Sequence, residues 1–176
     1  MAAIATEDAR HAAILAELAQ RTDGALEDVA RRVGAPLAAV FDRLPEGAAR
    51  PAPGARFAAI WADLAQWGPV TFIVHSEDGV FETKAPLPPG EEGRGYFNLH
   101  GDSPLSGHIR ADRCAAIYFV DRLFFGRRSC CLAFINQTGE TMFKVFVGRD
   151  AQRELLSDQI VRFERLRAVE TCATGA

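Results

Sequence analysis

The sequence has little lysine, tyrosine or histidine and no long apolar run. It holds two lysines against eighteen arginines, and two tyrosines and four histidines in 176 residues. No apolar run approaches the roughly 20 residues that a membrane-spanning helix needs. The formal net charge of -3 gives no overall attraction to nucleic acid or to an anionic membrane. Residues 1–15 lack the basic start and apolar core of a signal peptide, so we predict a folded protein of the cytoplasm.

Cysteine gives no sign of a metal or redox site. The four cysteines include no C-x-x-C pair, which argues against a zinc site or a dithiol motif. Cys130 and Cys131 are adjacent in a predicted strand, so their side chains are expected on opposite faces. Cys114 and Cys172 have no motif partner. We therefore predict unpaired thiols in a reducing compartment.

The first part of the chain has the periodicity of helices over residues 6–44. Two apolar stripes with spacing i, i+3, i+4 and i+7 are formed by Leu26, Val29, Ala30 and Val33, and by Leu37, Val40, Phe41 and Leu44. Residues 45–55 are rich in proline, glycine and alanine, which predicts a linker or an extended connection. We place a helical N-terminal segment at residues 1–50 and a core domain at residues 51–176.

The core begins with a further helix and then changes to strands. The helix has one apolar face, formed by Phe57, Ile60, Trp61, Leu64 and Trp67. The turn residues Glu77, Asp78 and Gly79 lie between two β-rich runs and predict a hairpin. The apolar run over residues 115–125 is nearly continuous, which predicts a strand buried on both faces.

Residues after the last strand predict a closing helix. Asp150 is a suitable helix cap, and the core-facing side of the helix is formed by Leu156, Ile160, Phe163 and Leu166. The predicted fold class is therefore α+β: a helical N-terminal segment, a mainly antiparallel sheet and a C-terminal helix.

One helical motif in the N-terminal segment suggests DNA binding. Ala30, Gly34 and Val40 have the spacing of a helix-turn-helix module. The outward positions of its second helix would be Ala38, Ala39, Asp42 and Arg43, of which only Arg43 suits base reading. Residues 1–50 hold six basic and eight acidic side chains, the wrong balance for phosphate affinity. We therefore expect this module to pack on the sheet or on a partner.

The loop GYFNLHGDSPLSGHI, residues 95–109, concentrates the rare side chains. Tyr96, His100 and His108 carry phenol and imidazole groups, both of which serve as axial ligands of haem iron. Apolar walls for the macrocycle could come from Phe97, Leu99, Leu105 and the RLFFG strand at residues 122–126. Arg94 and Arg110 flank the loop and could pair with the two propionates. Each residue also has an ordinary interpretation, as a turn, rim or solvated side chain.

Several segments together resemble a known family. They are WGPVTFIVHSEDGVFETKAPLPPG at 67–90, GYFNLHG at 95–101, LSGHI at 105–109, FKVFVGRD at 143–150 and LLSDQIVRF at 155–163. In this order they resemble the cytosolic haem carrier family of bacterial haem-uptake systems, the HutX and ChuX type. The helical leader, with LEDVA at residues 26–30, is similar in layout.

The resemblance implies a fold, a function and a set of site residues. Members of this family are homodimers with a split, antiparallel β-barrel-like core, and they bind haem in the cytosol and pass it to a haem-degrading or haem-storing protein. The family's ligand candidates correspond to Tyr96, His108 and His75. His75 is expected on the face of its strand opposite Val70, Phe72 and Val74. At His100 the chain departs from a frequent arginine, which removes a propionate partner or adds a ligand.

Other functions remain open at this point. The sequence shows no nucleophile beside a base and no paired carboxylates, so a carrier is the first prediction. Haem-degrading enzymes also use split-barrel dimers, and with haem the cofactor itself supplies the difficult chemistry. A flavin-binding oxidoreductase and a DNA-binding regulator are more distant alternatives. Which of the four candidate ligands binds iron is also left open.

Overall fold

A computed structural model of the chain describes residues 7–20, 23–76 and 78–171. Its helices are α1 (Glu7–Gln20), α2 (Leu26–Val33), α3 (Leu37–Phe41), α4 (Phe57–Leu64) and α5 (Ser157–Thr171). Its strands are β1 (Ala49–Pro53), β2 (Pro69–Ser76), β3 (Gly79–Pro86), β4 (Gly90–Gly93), β5 (Tyr96–Leu99), β6 (Gly107–Ile109), β7 (Cys114–Phe124), β8 (Arg127–Asn136) and β9 (Thr141–Phe146). Glu77 of the predicted hairpin turn and Cys172 lie outside the described residues.

The strands form two antiparallel sheets. The large sheet has the order β1-β7-β8-β9-β2-β3, and the small sheet has the order β4-β5-β6. The predicted hairpin is confirmed, because β2 and β3 pair along their whole length from Pro69↔Pro86 to Ser76↔Gly79. In the described part of the chain the two sheets do not close into a barrel. The molecule is therefore a mixed α and β protein with antiparallel sheets and a C-terminal helix.

The proline-rich segment after the N-terminal helices is partly a strand. Residues 49–53 form β1 and pair with β7, from Ala49↔Val120 to Pro53↔Ala116. The extended conformation was predicted correctly, but a linker is wrong for these residues. Pro51 and Pro53 are tolerated because β1 is an edge strand, which need not donate every backbone N–H to a neighbour. The boundary between residues 50 and 51 stays a prediction, and it falls within β1.

Helices α1, α2 and α3 cover one face of the large sheet, which we call the helical face. Their buried side chains include Ile14, Leu26 and Val40, and they pack on Tyr118 and Ala133 of the sheet. The Tyr118 hydroxyl donates a hydrogen bond of 2.7 Å to the Asp42 carboxylate.

The packing of the helical segment on the sheet gives no support to the DNA-reading interpretation. Gly34 ends α2 in the left-handed conformation, with φ 62°, as the helix-turn-helix spacing requires. However, α3 has only five residues, Ala38 and Ala39 pack against the helical face, and Asp42 is engaged by Tyr118. These contacts confirm the expectation that the module packs on the sheet.

The opposite face of the large sheet, which we call the core face, holds α4, α5 and the small sheet. The predicted apolar face of α4 is buried, including Phe57, Trp61 and Leu64. Trp61 Nε1 donates to the carbonyl of Pro88 at 2.9 Å, which ties α4 to the segment before β4. The Gln159 side chain of α5 is buried and donates to the carbonyls of Trp67 and Pro69, both at 2.9 Å. These bonds fix the frame on which the small sheet rests.

Two predictions about the second half of the chain need correction. Residues 117–120 of β7 are buried on both faces, but the same run ends in the exposed side chains of Leu123, Phe124 and Phe125. These residues form the tip of the β7–β8 hairpin. Asp150 does not cap α5, which begins at Ser157. Its carboxylate instead accepts from the backbone N–H of Gln152 and Glu154.

The cysteine predictions hold for the described residues. Cys114, Cys130 and Cys131 are buried and unpaired. Cys130 packs into the core face and Cys131 into the helical face, as adjacent strand residues should. Burial raises the pKa of the Cys114 thiol to about 11 and that of Cys130 to about 12. They are therefore protonated, unreactive thiols at neutral pH.

Candidate functional site

The site is built on the alternation of side chains along β5. Phe97 and Leu99 point into the core face of the large sheet and are buried. The side chains between them point away, so Tyr96 and Asn98 share the other face. His108 of β6 lies directly opposite Asn98 in the pairing register. We call these three residues, Tyr96, Asn98 and His108, the outer face of the small sheet.

Tyr96 and His108 are in contact on this outer face. Their ring centroids are 5.9 Å apart in an edge-to-face arrangement. The Tyr96 side chain is 44% exposed, and His108 is also exposed. The structure therefore brings together two of the four side chains that the sequence predicted as ligand candidates, and both are open to solvent.

A tight turn brings a cation beside Tyr96. Gly93 and Tyr96 are paired, so Arg94 and Gly95 form a two-residue turn between β4 and β5. Both turn residues have positive φ, 53° for Arg94 and 80° for Gly95, which is the geometry of a type I′ hairpin turn. Glycine adopts this conformation without strain, whereas an arginine there is uncommon. Arg94 has no ion-pair partner among the residues that the structure describes.

A cleft of about 580 Å³ opens beside the outer face. Its walls are Gly54, Ala55, Phe57 and Ala58, residues 92–97, and residues 110–112. The volume is within the range of about 300–1,000 Å³ that is typical of small-molecule sites. Tyr96, Arg94 and Arg110 all line it, and the almost fully buried Phe97 lies behind them. His108 adjoins the cleft through its contact with Tyr96.

Arg110 is held in an ion pair within this cleft. Its Nε and terminal nitrogen donate to the two carboxylate oxygens of Asp112 at 2.8 and 2.7 Å. The hydrogen bonds that Arg110 donates to Asp112 raise the pKa of Arg110 and lower the pKa of Asp112. The guanidinium also lies 5.7 Å from the centroid of the Tyr96 ring, a cation–π distance. The charge of Arg110 is therefore already balanced, unlike that of Arg94.

Asn98 was not predicted from the sequence, yet it contacts both sides of the site. Its Nδ2 donates to the carbonyl of Gly93 at 3.0 Å and, at 3.3 Å each, to the carbonyls of Glu91 and Tyr96. Its Oδ1 lies 2.7 Å from Nδ1 of His108. The signal that could have found it is the period of two along a strand, which places Asn98 on the same face as Tyr96.

His100 lies at the far end of the small sheet. Its backbone N–H donates to the carbonyl of Pro89 at 2.9 Å, and its Nε2 is 3.3 Å from a carboxylate oxygen of Glu91. Four residues of extended strand separate it from Tyr96, which corresponds to about 13 Å. It does not line the cleft.

His75 lies on the helical face of the large sheet. The predicted alternation is confirmed, since Val70 and Phe72 are in the opposite cluster, on the core face. Nδ1 of His75 is 3.5 Å from a carboxylate oxygen of Glu27 in α2, and the same Glu27 oxygen pairs with Lys144. The structure therefore separates His75 from Tyr96 by the thickness of the sheet.

The proposed apolar walls are only partly correct. Phe97 is among the lining residues, although its ring packs in the core, and Leu99 and Leu105 do not line the cleft. The RLFFG strand is at the other end of β7, where the backbone N–H of Phe125 donates to the carbonyl of Asp23 at 3.0 Å. The position of RLFFG in the sequence could not show that it lies away from the cleft, because the direction of β7 relative to the small sheet depends on the sheet order.

Residues 7–20, 23–76 and 78–171 contain no group of three or more histidine, cysteine or acidic side chains placed to hold a metal ion. Within the same ranges no helix is both long enough and apolar enough to cross a membrane.

Comparison with known proteins identifies the family. The profile of the family described as haem utilisation ChuX/HutX matches residues 50–166. The chain is 38% identical over 129 residues to the "Intracellular heme transport protein HutX" of Vibrio cholerae, a match that covers 73% of this chain and 67% of the relative.

Solved structures agree with this match. A crystal structure of an Agrobacterium tumefaciens protein has a TM-score of 0.88 at 46% identity and covers 93% of each chain. A structure titled "Heme Binding Protein ChuX" has a TM-score of 0.81 at 37% identity, over 89% of this chain and 97% of that chain.

A more distant likeness concerns the fold alone. The structure titled "ChuS, an E. coli Heme Oxygenase" has a TM-score of 0.70 at 13% identity and covers 88% of this chain and 48% of that chain. The predicted resemblance is confirmed by the profile and the nearer relatives: the chain belongs to the ChuX/HutX haem-utilisation family.

Proposed function

We propose that the protein is an intracellular haem carrier, which binds ferric haem in the cytoplasm and passes it to a haem-accepting protein. The observation that carries this proposal is the contact between Tyr96 and His108 on an exposed strand face beside a cleft of about 580 Å³. The printed names of the relatives, a haem transport protein and a haem binding protein, support the same function.

The chemistry of the site suits reversible binding of oxidised haem. A phenolate is a hard anionic ligand that favours ferric iron, and an imidazole is a common haem ligand. We assign Tyr96, at the mouth of the cleft, as the first ligand candidate and His108, which adjoins the cleft through its contact with Tyr96, as the second. Ala55 and Ala58 on the cleft wall offer an exposed apolar surface to the macrocycle, and the unpaired charge of Arg94 suits a propionate. Because both ligands are exposed, haem can enter and leave without any opening of the core.

We assign no reaction to the chain, because the cleft holds no nucleophile beside a base. Its charged side chains are Glu92, Arg94, Arg110 and Asp112, of which the last two neutralise each other. A carrier needs a pocket, exchangeable ligands and a docking surface, and this cleft supplies the first two. The fold shared with a haem oxygenase gives haem degradation as the alternative outcome of the experiment below.

We further propose a homodimer with a split-barrel-like arrangement of sheets. Both edges of the large sheet, β1 and β3, are left without a further strand in the described chain. Val80 and Phe81 on β3 are exposed, and an open edge with apolar side chains favours association. A sedimentation experiment at micromolar concentration should give twice the chain mass of 19.1 kDa. A monomer mass would contradict this part of the proposal.

The central test is a titration of the apo-protein with ferric haem. We expect a saturable Soret band at one haem per chain, and the band should survive incubation with a reductant and oxygen. His108→Ala should shift the band, whereas His75→Ala should not, because His75 is on the other side of the large sheet. The absence of a saturable band would overturn the proposal. Loss of the band with a biliverdin-like product would instead show haem degradation.

A further inference from the structure

We propose that Asn98 is a positioning residue of this site, which holds His108 in the tautomer with its proton on Nδ1 and leaves the Nε2 lone pair for iron. The inference rests on the proposed function only in naming haem as the ligand. The proton position itself is a property of the apo-protein.

The orientation of the Asn98 amide is set by its surroundings. Its Nδ2 group faces the carbonyl oxygens of Gly93, Glu91 and Tyr96 at 3.0 to 3.3 Å. A flipped amide would place Oδ1 against these three oxygens, where acceptor would face acceptor. The oxygen must therefore face His108, where it lies 2.7 Å from Nδ1.

The amide orientation determines the tautomer of His108. An amide oxygen only accepts hydrogen bonds, so Nδ1 of His108 must donate. In a neutral imidazole the other nitrogen, Nε2, then carries a lone pair and no proton. A hydrogen bond of this kind to the non-ligating nitrogen is how proteins orient histidine ligands and increase their basicity.

The other two candidate histidines lack such an arrangement. Nε2 of His100 faces the Glu91 carboxylate at 3.3 Å. The ring nitrogen that would otherwise point away from the sheet is therefore already in contact with a carboxylate. Nδ1 of His75 faces Glu27 at 3.5 Å, beyond hydrogen-bond length. Among the described histidines near the core domain, His108 is the one whose ring is fixed by a neutral acceptor at hydrogen-bond distance.

Asn98 also connects His108 to the remainder of the site. The Gly93 carbonyl begins the turn that carries Arg94, and the Tyr96 carbonyl belongs to the first ligand candidate. One side chain thus bonds to the turn, to the backbone of Tyr96 and to the ring of His108. An aspartate at position 98 would keep an acceptor oxygen for His108 but lose the N–H donors. A leucine at this position would lose both.

The chain contains a matched control for this residue. Its second and last asparagine, Asn136, also bonds to a turn, with Oδ1 accepting from the backbone N–H of Thr138 and Glu140 at 2.9 and 3.1 Å. Asn136 is in β8 and contacts no histidine. Asn98→Leu and Asn136→Leu therefore make the same chemical change, and both remove a turn bond, but only the first affects His108.

The first experiment measures the tautomer of His108 in the apo-protein by long-range ¹H–¹⁵N NMR. We expect the wild type, Asn98→Asp and Asn136→Leu to show the proton on Nδ1. Asn98→Leu should shift the population towards the Nε2–H tautomer. A wild-type His108 with its proton on Nε2, or an unchanged tautomer in Asn98→Leu, would overturn the inference. This result does not depend on haem.

The second experiment measures haem release to excess apomyoglobin. Loss of an outer-shell partner typically weakens a metal site by about 10–100-fold, so Asn98→Leu should release haem at least about tenfold faster than the wild type. Asn136→Leu should release haem at the wild-type rate, and Asn98→Asp should recover most of the loss. Equal rates for the two leucine variants would overturn the positioning role. A wild type that binds no haem would count against the proposed function, while the NMR result would still decide the tautomer.

Discussion

The centre of the six-stranded sheet, in β7, β8 and β9, is packed on both faces, whereas the three-stranded sheet is packed on one. In the large sheet even the polar side chains are engaged: the Tyr118 hydroxyl bonds to Asp42, and His75 lies against Glu27. In the small sheet Phe97 and Leu99 are buried, but Tyr96 and His108 remain exposed. The same residue types are thus structural in one sheet and available to a ligand in the other.

This difference explains why so few side chains could form the site. Of the two tyrosines, one is buried beneath α3 and one is at the mouth of the cleft. The centre of the large sheet is covered on both faces and buries its side chains, whereas a short sheet packed on one side alternates buried and exposed residues. A haem ligand on the outer face can change without disturbing the apolar residues behind it.

The largest expected effect comes from breaking the packed side of the small sheet. Phe97 is 3% exposed, and its ring centroid lies 5.2 Å from that of Phe57 and 5.8 Å from that of Trp61. Phe97→Ala should lower the free energy of unfolding by about 3–5 kcal/mol, measured by urea denaturation. His108→Ala, on the outer face, should change it by less than about 0.5 kcal/mol. Similar losses in both variants would contradict the two-sided description of this sheet.

A slightly smaller loss is expected from the ion pair on the helical face. Lys144 and Glu27 pair with side chains that are 11% and 17% exposed. Lys144→Met should destabilise the protein by about 3 kcal/mol, because it leaves the carboxylate of Glu27 partly buried and uncompensated. The double variant Lys144→Met/Glu27→Gln should recover part of that loss. A double variant less stable than Lys144→Met would show that the two residues do not act as a pair.

The same pair gives a dependence on pH. Burial of Glu27 opposes its ionisation, but the charge and hydrogen bond of Lys144 outweigh burial and hold the pKa of Glu27 below its ordinary 4.5. A depressed folded-state pKa stabilises the fold above about pH 4.5, and this contribution is lost as the pH falls through the folded value. The stability gap between the wild type and Lys144→Met should therefore narrow below pH 4.5. Urea denaturation from pH 7 to pH 3 measures this stability gap. A gap that stays constant over this range would refute the assignment of Lys144 as the cause of the lowered pKa of Glu27.

The two tyrosines give the sharpest form of the comparison. Tyr118→Phe removes a hydrogen bond to the Asp42 carboxylate and should cost about 1.5 kcal/mol of stability, with the ferric haem spectrum unchanged. Tyr96→Phe should change stability by less than about 0.5 kcal/mol, but shift the ferric spectrum and weaken haem retention. Denaturation and haem titration of both variants measure this. If neither Tyr96→Phe nor His108→Ala changed the spectrum, the ligand assignment would be wrong.

The sequence predicted features that depend on local periodicity. The buried face of α4 and the β2–β3 hairpin follow from spacings of 3.6 and 2 residues, and the structure shows both. The face of His75 was also predicted, but which element covers that face depends on the sheet order. Only the order β9-β2-β3, with α2 packed over it, shows that His75 meets Glu27.

The errors and omissions share a physical cause. RLFFG was predicted as a wall because it is apolar, but the direction of β7 places it at the far end of the sheet. Asn98 was missed because its role depends on the β5–β6 register, which brings it opposite His108. Contacts between residues distant in sequence are set by tertiary packing. They could not be predicted from a single sequence without knowledge of the sheet order.

The smallest expected effect separates the two arginines of the cleft. Arg94 has no acidic partner in the described ranges, whereas Arg110 and Asp112 neutralise each other. Arg94→Gln removes one net positive charge and should raise the haem dissociation constant about threefold at low salt, since an exposed ion pair contributes less than about 1 kcal/mol. The double variant Arg110→Gln/Asp112→Asn removes a neutral pair and should change it less than about twofold. Fluorescence titrations at 50 and 500 mM salt measure both, and the effect of Arg94→Gln should shrink at the higher salt as charges are screened. A larger, salt-dependent loss in the double variant would identify Arg110 as the propionate partner instead.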